Sequence, residues 1–372
     1  MHAGPNTTIA ANSGAPTAHI NRIGTAVPAN DVHEPFVEFG AHLLDGERTS
    51  LLFRRVAARS GIRHRFSVLS LDSTHPGYTP QLDGRALYQR GSFPATAHRM
   101  RLYEQTAPAL ARNALDRLNL SNIERDSVTH VIVTSCTGLY APGLDFEIID
   151  HLGLSTSVER TVIGFMGCYA AMNALKLARH IIRSEPAAAV LILNLELCTL
   201  HFQETQQLEQ VLSFLVFSDG CAATLISAHP TGLAIDSFAA VVIPHTRDLI
   251  TWSIRDLGFD MLLSGRVPTE IARSLRASIP EIAGPAGTPG IDHWAIHPGG
   301  RSVLDAVEDG LALAPGRLRE SRRVLECFGN MSSATVMFVL DEILRSALPN
   351  ETGCAMSFGP GLTAETMRFH IA

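Results

Sequence analysis

Two hydrophobic periods alternate along this chain. Short apolar runs bounded by turn residues recur at Thr129–Thr134, Ala187–Leu197, Gly220–Ser227 and Ile291–Ile296, and read as buried strands. Between them, apolar positions recur at three- and four-residue steps. Leu102, Ala109, Leu110 and Leu115 mark a helix over Met100–Leu118; further helical stretches follow Val303 and cover Thr335–Leu344. A helical segment is predicted over Leu51–Phe66, with a basic run of Arg54, Arg55, Arg59, Arg63 and Arg65. Strands alternating with helices predict an α/β architecture. Residues 1–17 are rich in Ala, Asn, Thr, Gly and Pro and predict a disordered tail, with the ordered body beginning at His19–Val27.

One junction carries chemistry. Thr161-Val162-Ile163 leads into Gly164-Phe165-Met166-Gly167-Cys168, and Ala171, Ala174, Leu175, Ala178, Ile181 and Ile182 then share a helix face. This places Cys168 near a helix N-terminus, where unpaired N–H groups and the helix dipole favour a thiolate. A small residue packed at a strand–helix junction would read the same way. The later chain repeats the theme. Strand 291–296 ends in His297-Pro298-Gly299-Gly300, and Gly329-Asn330-Met331-Ser332-Ser333 opens a helix as Gly167-Cys168-Tyr169-Ala170-Ala171 does. The parallel predicts an internal duplication, with halves at 18–230 and 231–372. A pseudo-twofold axis would gather Cys168, His297 and Asn330 at one centre. Cysteine with histidine makes an activated nucleophile. Imidazole and amide can both donate to a developing oxyanion. Singly, His297 could cap a turn and Asn330 a helix.

Composition narrows the class. The chain has 372 residues, 46% hydrophobic and 18% charged, enough for a large core or two domains. A net charge of −6 argues against a nucleic-acid binder. Six scattered cysteines without a CxxC pair predict a reducing compartment and no zinc site. No apolar run reaches membrane length and no cationic–apolar leader opens the chain, which predicts a soluble, cytoplasmic protein.

Three stretches then carry a resemblance. Trp294-Ala295-Ile296-His297-Pro298-Gly299-Gly300, Phe328–Ala334 and Ser357-Phe358-Gly359-Pro360-Gly361-Leu362-Thr363 resemble the signatures of type III polyketide synthases, the chalcone and stilbene synthase family. The stretch around Cys168, Thr129–Gly143 and Phe217-Ser218-Asp219-Gly220 are similar as well. The resemblance implies a thiolase-like fold, five layers αβαβα from two similar halves, usually a homodimer. It implies that Cys168 takes an acyl group from an acyl-CoA, and that His297 and Asn330 polarise malonyl-CoA for decarboxylation. It also implies that His297 holds Cys168 as a thiolate. Substrates are coenzyme A thioesters, with no further cofactor and no metal. Phe217 matches a gatekeeper aromatic, and the second gatekeeper falls on Met261. His201, Cys136, Thr137 and Ser332 match cavity positions, and Arg55 and Arg59 match residues that meet the CoA phosphates.

Departures mark this chain. Trp252 stands where plant members commonly have Gly, and Ala141 where a Met often reaches across the dimer. With Met261 these look more like a microbial member, implying fatty or small aliphatic starters and alkylpyrone or alkylresorcinol products. Rival readings are a type III ketoacyl-ACP synthase, with one condensation; a thiolase, for which Cys354 would be the second cysteine; a papain-like peptidase, from the order Cys168, His297, Asn330; and a non-catalytic scaffold.

Overall fold

The computed structural model describes residues 14–71, 80–283 and 287–372; residues 1–13 of the predicted tail lie outside them. In chain order the principal elements are β1 (His19–Ala26), α1 (His33–Leu43), α2 (Glu47–Ala57), α3 (Thr96–Leu118), β2 (Val128–Ser135), α4 (Leu144–Leu152), β3 (Glu159–Gly164), α5 (Ala170–Ser184), β4 (Ala189–Leu197), α6 (Leu208–Leu215), β5 (Asp219–Ser227) and β6 (Leu233–Val242). A hairpin follows, β7 (Ile250–Arg255) and β8 (Gly258–Leu263). Then come α7 (Val267–Ala283), β9 (His293–Ile296), α8 (Arg301–Gly310), α9 (Arg319–Phe328), α10 (Thr335–Ser346), β10 (Thr352–Gly359) and β11 (Thr363–Ile371).

Nine strands run in the order β9-β10-β11-β6-β1-β5-β4-β2-β3. Only the pairs His19–Ala234 and Ile20–Leu233 join β1 to β6. The array is therefore two sheets meeting at one corner, β1-β5-β4-β2-β3 and β6-β11-β10-β9.

Side-chain parity explains the layering. In β4, Leu191, Leu193, Leu195 and Leu197 face Leu102, Leu110 and Ala114 of α3. Val190 and Ile192 face the other way, into a cluster with Ala171 and Leu175 of α5 and Val336 and Leu340 of α10. In β9, Trp294 and Ile296 pack against Leu304 and Val307 of α8, while Ala295 turns to the central helices. Strands covered on both faces need apolar residues at both parities, which is why these runs are unbroken. The layers are α3, first sheet, α5 with α10, second sheet, and α7 with α8: a thiolase-like αβαβα fold.

The helix predicted over Leu51–Phe66 is shorter. It starts at Glu47 and stops at Ala57. Gly61 then turns at φ +77°. The Arg65 N–H bonds to Asp31, and Phe66–Ser67 pairs with Asn30–Asp31 as a short strand.

β1 meets α3 at Gly24. A Cβ there would stand 2.3 Å from Leu118 N and 2.6 Å from Ala114 O, both backbone, so no rotamer relieves the clash. Gly24→Ala is expected to cost about 1–3 kcal/mol in thermal or urea unfolding. Gly265→Ala, whose nearest neighbour would be Glu209 Oε1 at 4.0 Å, is the matched control and should change little.

Candidate active site

Cys168 occupies a single 3-10 turn, Gly167–Tyr169, immediately before α5. His297 follows the end of β9, its N–H donating to Met356 O at 2.8 Å. Asn330 lies between α9 and a second 3-10 turn, Ser332–Ala334, which leads into α10. Its N–H donates to Val216 O at 2.8 Å, and its carbonyl accepts from Ser218 N–H at 2.9 Å. These three side chains line one cavity, with Phe217, Trp252, Met261, Cys136, Thr137 and Ser332. Its free volume is about 60 Å³.

The Asn330 amide has a fixed orientation. Its Oδ1 accepts from Ser332 N–H at 2.8 Å, and its Nδ2 donates to Gly299 O at 3.3 Å. The remaining N–H is turned to the Cys168 sulfur, which Ser332 also reaches. The amide thus presents a donor to the cavity.

Burial dominates the electrostatics. It pushes the Cys168 thiol up to about 12, against the hydrogen bonds from Ser332 and Asn330. The part of Cys168 left accessible faces the cavity, and protein surrounds it otherwise. Burial pushes His297 down to about 3, and neither ring nitrogen has a hydrogen-bond partner among the described residues. Burial thus opposes the thiolate–imidazolium pair that the resemblance implies, and no hydrogen bond between the two side chains stands among the described residues.

Glu196 escaped the sequence reading. It is the one charged residue of β4, fully buried, and accepts from Cys136 N–H at 2.9 Å, Thr137 Oγ1 at 2.9 Å and Ser333 Oγ at 2.6 Å. Burial raises it to about 7 despite these donors. The available signal was an acid inside a nine-residue strand that is apolar but for it and Asn194.

His201 does not line the cavity. It is buried behind the wall, its ring stacked on Phe259 at 4.1 Å and edge-on to Trp252 at 5.5 Å. Nδ1 accepts from Phe259 N–H at 3.2 Å, so Nε2 carries the proton and donates to Thr137 O at 2.5 Å. Burial pushes this histidine down to about 3 and keeps it neutral. Trp252 pairs with Met261 across the β7–β8 hairpin, and its indole N–H donates to Cys136 O at 2.8 Å. The indole is therefore anchored within the cavity wall.

An outer cleft of about 660 Å³ shares Leu263, Val267, Gly299 and Val303 with the cavity. Arg59 and Arg301 line it, and Arg301 Nη1 donates to Arg59 O at 3.2 Å. Arg55 lines neither space: it projects outward on the exposed side of α2. Ala141 is exposed and outside the cavity. Cys354 is buried against the outer helices, which leaves the thiolase reading without its second cysteine. Among the described residues no cluster of His, Cys, Asp or Glu could hold a metal ion, and no helix is long and apolar enough to cross a membrane.

Comparison with known proteins identifies the family. Residues 6–230 match the family "Chalcone and stilbene synthases, N-terminal domain", and residues 234–372 match its C-terminal domain. The chain is 31% identical, over 386 aligned positions, to the bisdemethoxycurcumin synthase of Oryza sativa subsp. japonica, covering 95% of this chain and 92% of the relative. It resembles the C-terminal type III polyketide synthase domain of Steely1, a type I/III hybrid from Dictyostelium, with a TM-score of 0.85 and 25% identity over 95% of this chain and 99% of that one. PKS-I of the brown alga Ectocarpus siliculosus matches with a TM-score of 0.85 and 27% identity over 97% and 100%. The chain thus belongs to the chalcone and stilbene synthase family: it is a type III polyketide synthase, an acyltransferase that forms carbon–carbon bonds.

Proposed function

We propose that Cys168 takes an acyl group from an acyl-CoA, and that Asn330 and His297 stabilise the enolate formed when malonyl-CoA loses carbon dioxide. The observation that carries this reading is the locked Asn330 amide, whose donor faces the sulfur in the cavity that also holds the unpartnered His297 ring. His297 accepts the thiol proton as Cys168 attacks the starter thioester, and coenzyme A leaves as the thiol. Decarboxylation moves electrons onto the thioester oxygen, where two donors in a dry cavity act strongly. The enolate carbon then attacks the acyl–Cys168 carbonyl and expels the cysteine sulfur. Reloading of the extended thioester repeats the cycle until the chain cyclises to a pyrone or resorcinol.

Coenzyme A occupies the outer cleft in this reading, its phosphates near Arg59 and Arg301, with Arg55 outside the contact. Phe217 guards the passage, since it lines the cavity while its neighbour Val216 lines the cleft. Trp252 and Met261 close the far wall and favour a small aliphatic starter. The halves 18–230 and 231–372 contribute Cys168 and the His297–Asn330 pair respectively. A cytoplasmic homodimer fits the uncovered edge strand β3 and the exposed Val162 and Leu139. The peptidase reading loses its basis, because Asn330 bonds Gly299 and Ser332 rather than orienting His297.

Incubation with malonyl-CoA and a panel of acyl-CoA starters, read by mass spectrometry, tests the function. Several condensations without carrier protein are expected, and none with Cys168→Ala. A single condensation that needs a carrier protein would favour the ketoacyl synthase instead. Trp252→Gly is expected to lengthen the products; an unchanged profile removes Trp252 from size control. Iodoacetamide labelling of Cys168, followed by peptide mass spectrometry, should keep rising with pH beyond neutrality. A plateau between roughly pH 6 and 8 would instead reveal a resting thiolate.

A further inference from the structure

Beside the cavity lies a guanidinium that no carboxylate among the described residues touches. Arg65 is 1% exposed. Its Nε donates to His33 Nδ1 at 3.1 Å, and its Nη1 donates to Phe217 O at 2.8 Å and Phe214 O at 3.3 Å. Its Nη2 has no partner among the described residues. The group lies over the Phe36 ring, 4.3 Å from the centroid. His33 is held neutral, pushed down to about 4 by burial and then by the Arg65 charge, so its ring nitrogen can accept. Nearby carboxylates are committed elsewhere: Asp31 to His64 and the Arg65 main chain, Asp219 to Thr199 and Val68.

Burying a charge without an ion partner is costly. Burial lowers Arg65 to about 9, which still leaves it charged at neutral pH. What the guanidinium offers is a planar fork whose Nε and Nη1 hold a ring nitrogen and two carbonyls in fixed directions, a span that a compact ammonium does not match.

The segment it grips builds the site. Between Phe214 and Phe217, Val216 O accepts from Asn330 N–H, and Ser218 N–H donates to Asn330 O. The Arg65 stem also lies against Gly329, where a Cβ would stand 2.8 Å from Arg65 Cγ and 3.0 Å from Val216 O. One side chain thus touches both strands of the Phe217–Asn330 bridge.

We propose that Arg65 is a positioning residue that sets the Asn330 amide and the Phe217 ring relative to Cys168, and thereby governs the decarboxylation step. The proposal rests on the role given to Asn330 above. Arg99 is a matched comparison. It is 0% exposed, with Nη2 unpartnered. Its hydrogen bonds go to Pro94 O at 2.8 Å, Leu200 O at 2.8 Å and Phe202 O at 2.6 Å, so it grips the loop around His201 instead.

Three assays separate these roles: malonyl-CoA decarboxylation without a starter, coenzyme A release from an acyl-CoA alone, and product-length distribution. Arg65→Lys is expected to lower kcat for decarboxylation by about tenfold or more, with starter loading kept within about threefold. Arg99→Lys should show the reverse split, with altered product lengths and decarboxylation retained. His33→Ala removes only one acceptor of the guanidinium and should shift the same balance as Arg65→Lys, more weakly, even if Arg65→Lys is insoluble. The proposal is overturned if Arg65→Lys and Arg99→Lys depress all three readouts in equal proportion. It is also overturned if Arg65→Lys or His33→Ala spares decarboxylation while Asn330→Ala abolishes it. If Asn330→Ala itself spares decarboxylation, the role given to Asn330 fails and the proposal falls with it.

Discussion

The site exists because two short turns are forced together. Gly167–Tyr169 and Ser332–Ala334 each open a helix, and both helices bury their apolar faces in the layer between the two sheets. Neighbouring segments pack closely on both turns. A Cβ at Gly167, which has φ +68°, would stand 2.2 Å from Pro360 Cδ. A Cβ at Gly220 would stand 2.2 Å from the Met331 sulfur. These glycines let Cys168 and Asn330, 162 positions apart in sequence, share one cavity. His297 joins them because β9 pairs with β10 in the second sheet and ends at the same level.

Burial then decides the charge state. Each group with chemistry to do is desolvated, and desolvation outweighs the hydrogen bonds that oppose it at Cys168 and Glu196. A site of this kind holds few charges when empty. The Asn330 amide is already held by Ser332 N–H and Gly299 O, so its orientation is set in advance. The same low polarity that pushes the thiol up would strengthen a hydrogen bond to any negative charge placed there.

Motif spacing made Cys168, His297 and Asn330 legible in the sequence, because each closes a strand or opens a helix and carries a reactive side chain. The layered fold was legible from unbroken apolar runs. Other features were hidden for physical reasons. Arg55 and Arg59 look alike in a basic run, but α2 ends at Ala57, so helical phase does not carry through to Arg59. His201 and Trp252 share a wall, and which of them faces the cavity depends on packing between a loop and a distant hairpin. Glu196 and Arg65 are single polar residues whose partners, backbone and side-chain alike, lie far away in sequence, and local side-chain patterns do not report those.

The two kinds of wall differ in how they are built. Asn330 and Phe217 are tied through main-chain hydrogen bonds into the junction of several elements, so moving either disturbs the other. Trp252 and Met261 sit on a separate two-stranded hairpin that is outside the nine-stranded array. Its outer residues Ile254, Leu257 and Leu262 are exposed, and its indole is tied to the catalytic side by a hydrogen bond to Cys136 O. Side chains on such a hairpin can change size without shifting Cys168, His297 or Asn330. Cys168, His297 and Asn330 thus stand on the layered body, while Trp252 and Met261 reach the same cavity from a hairpin attached to it.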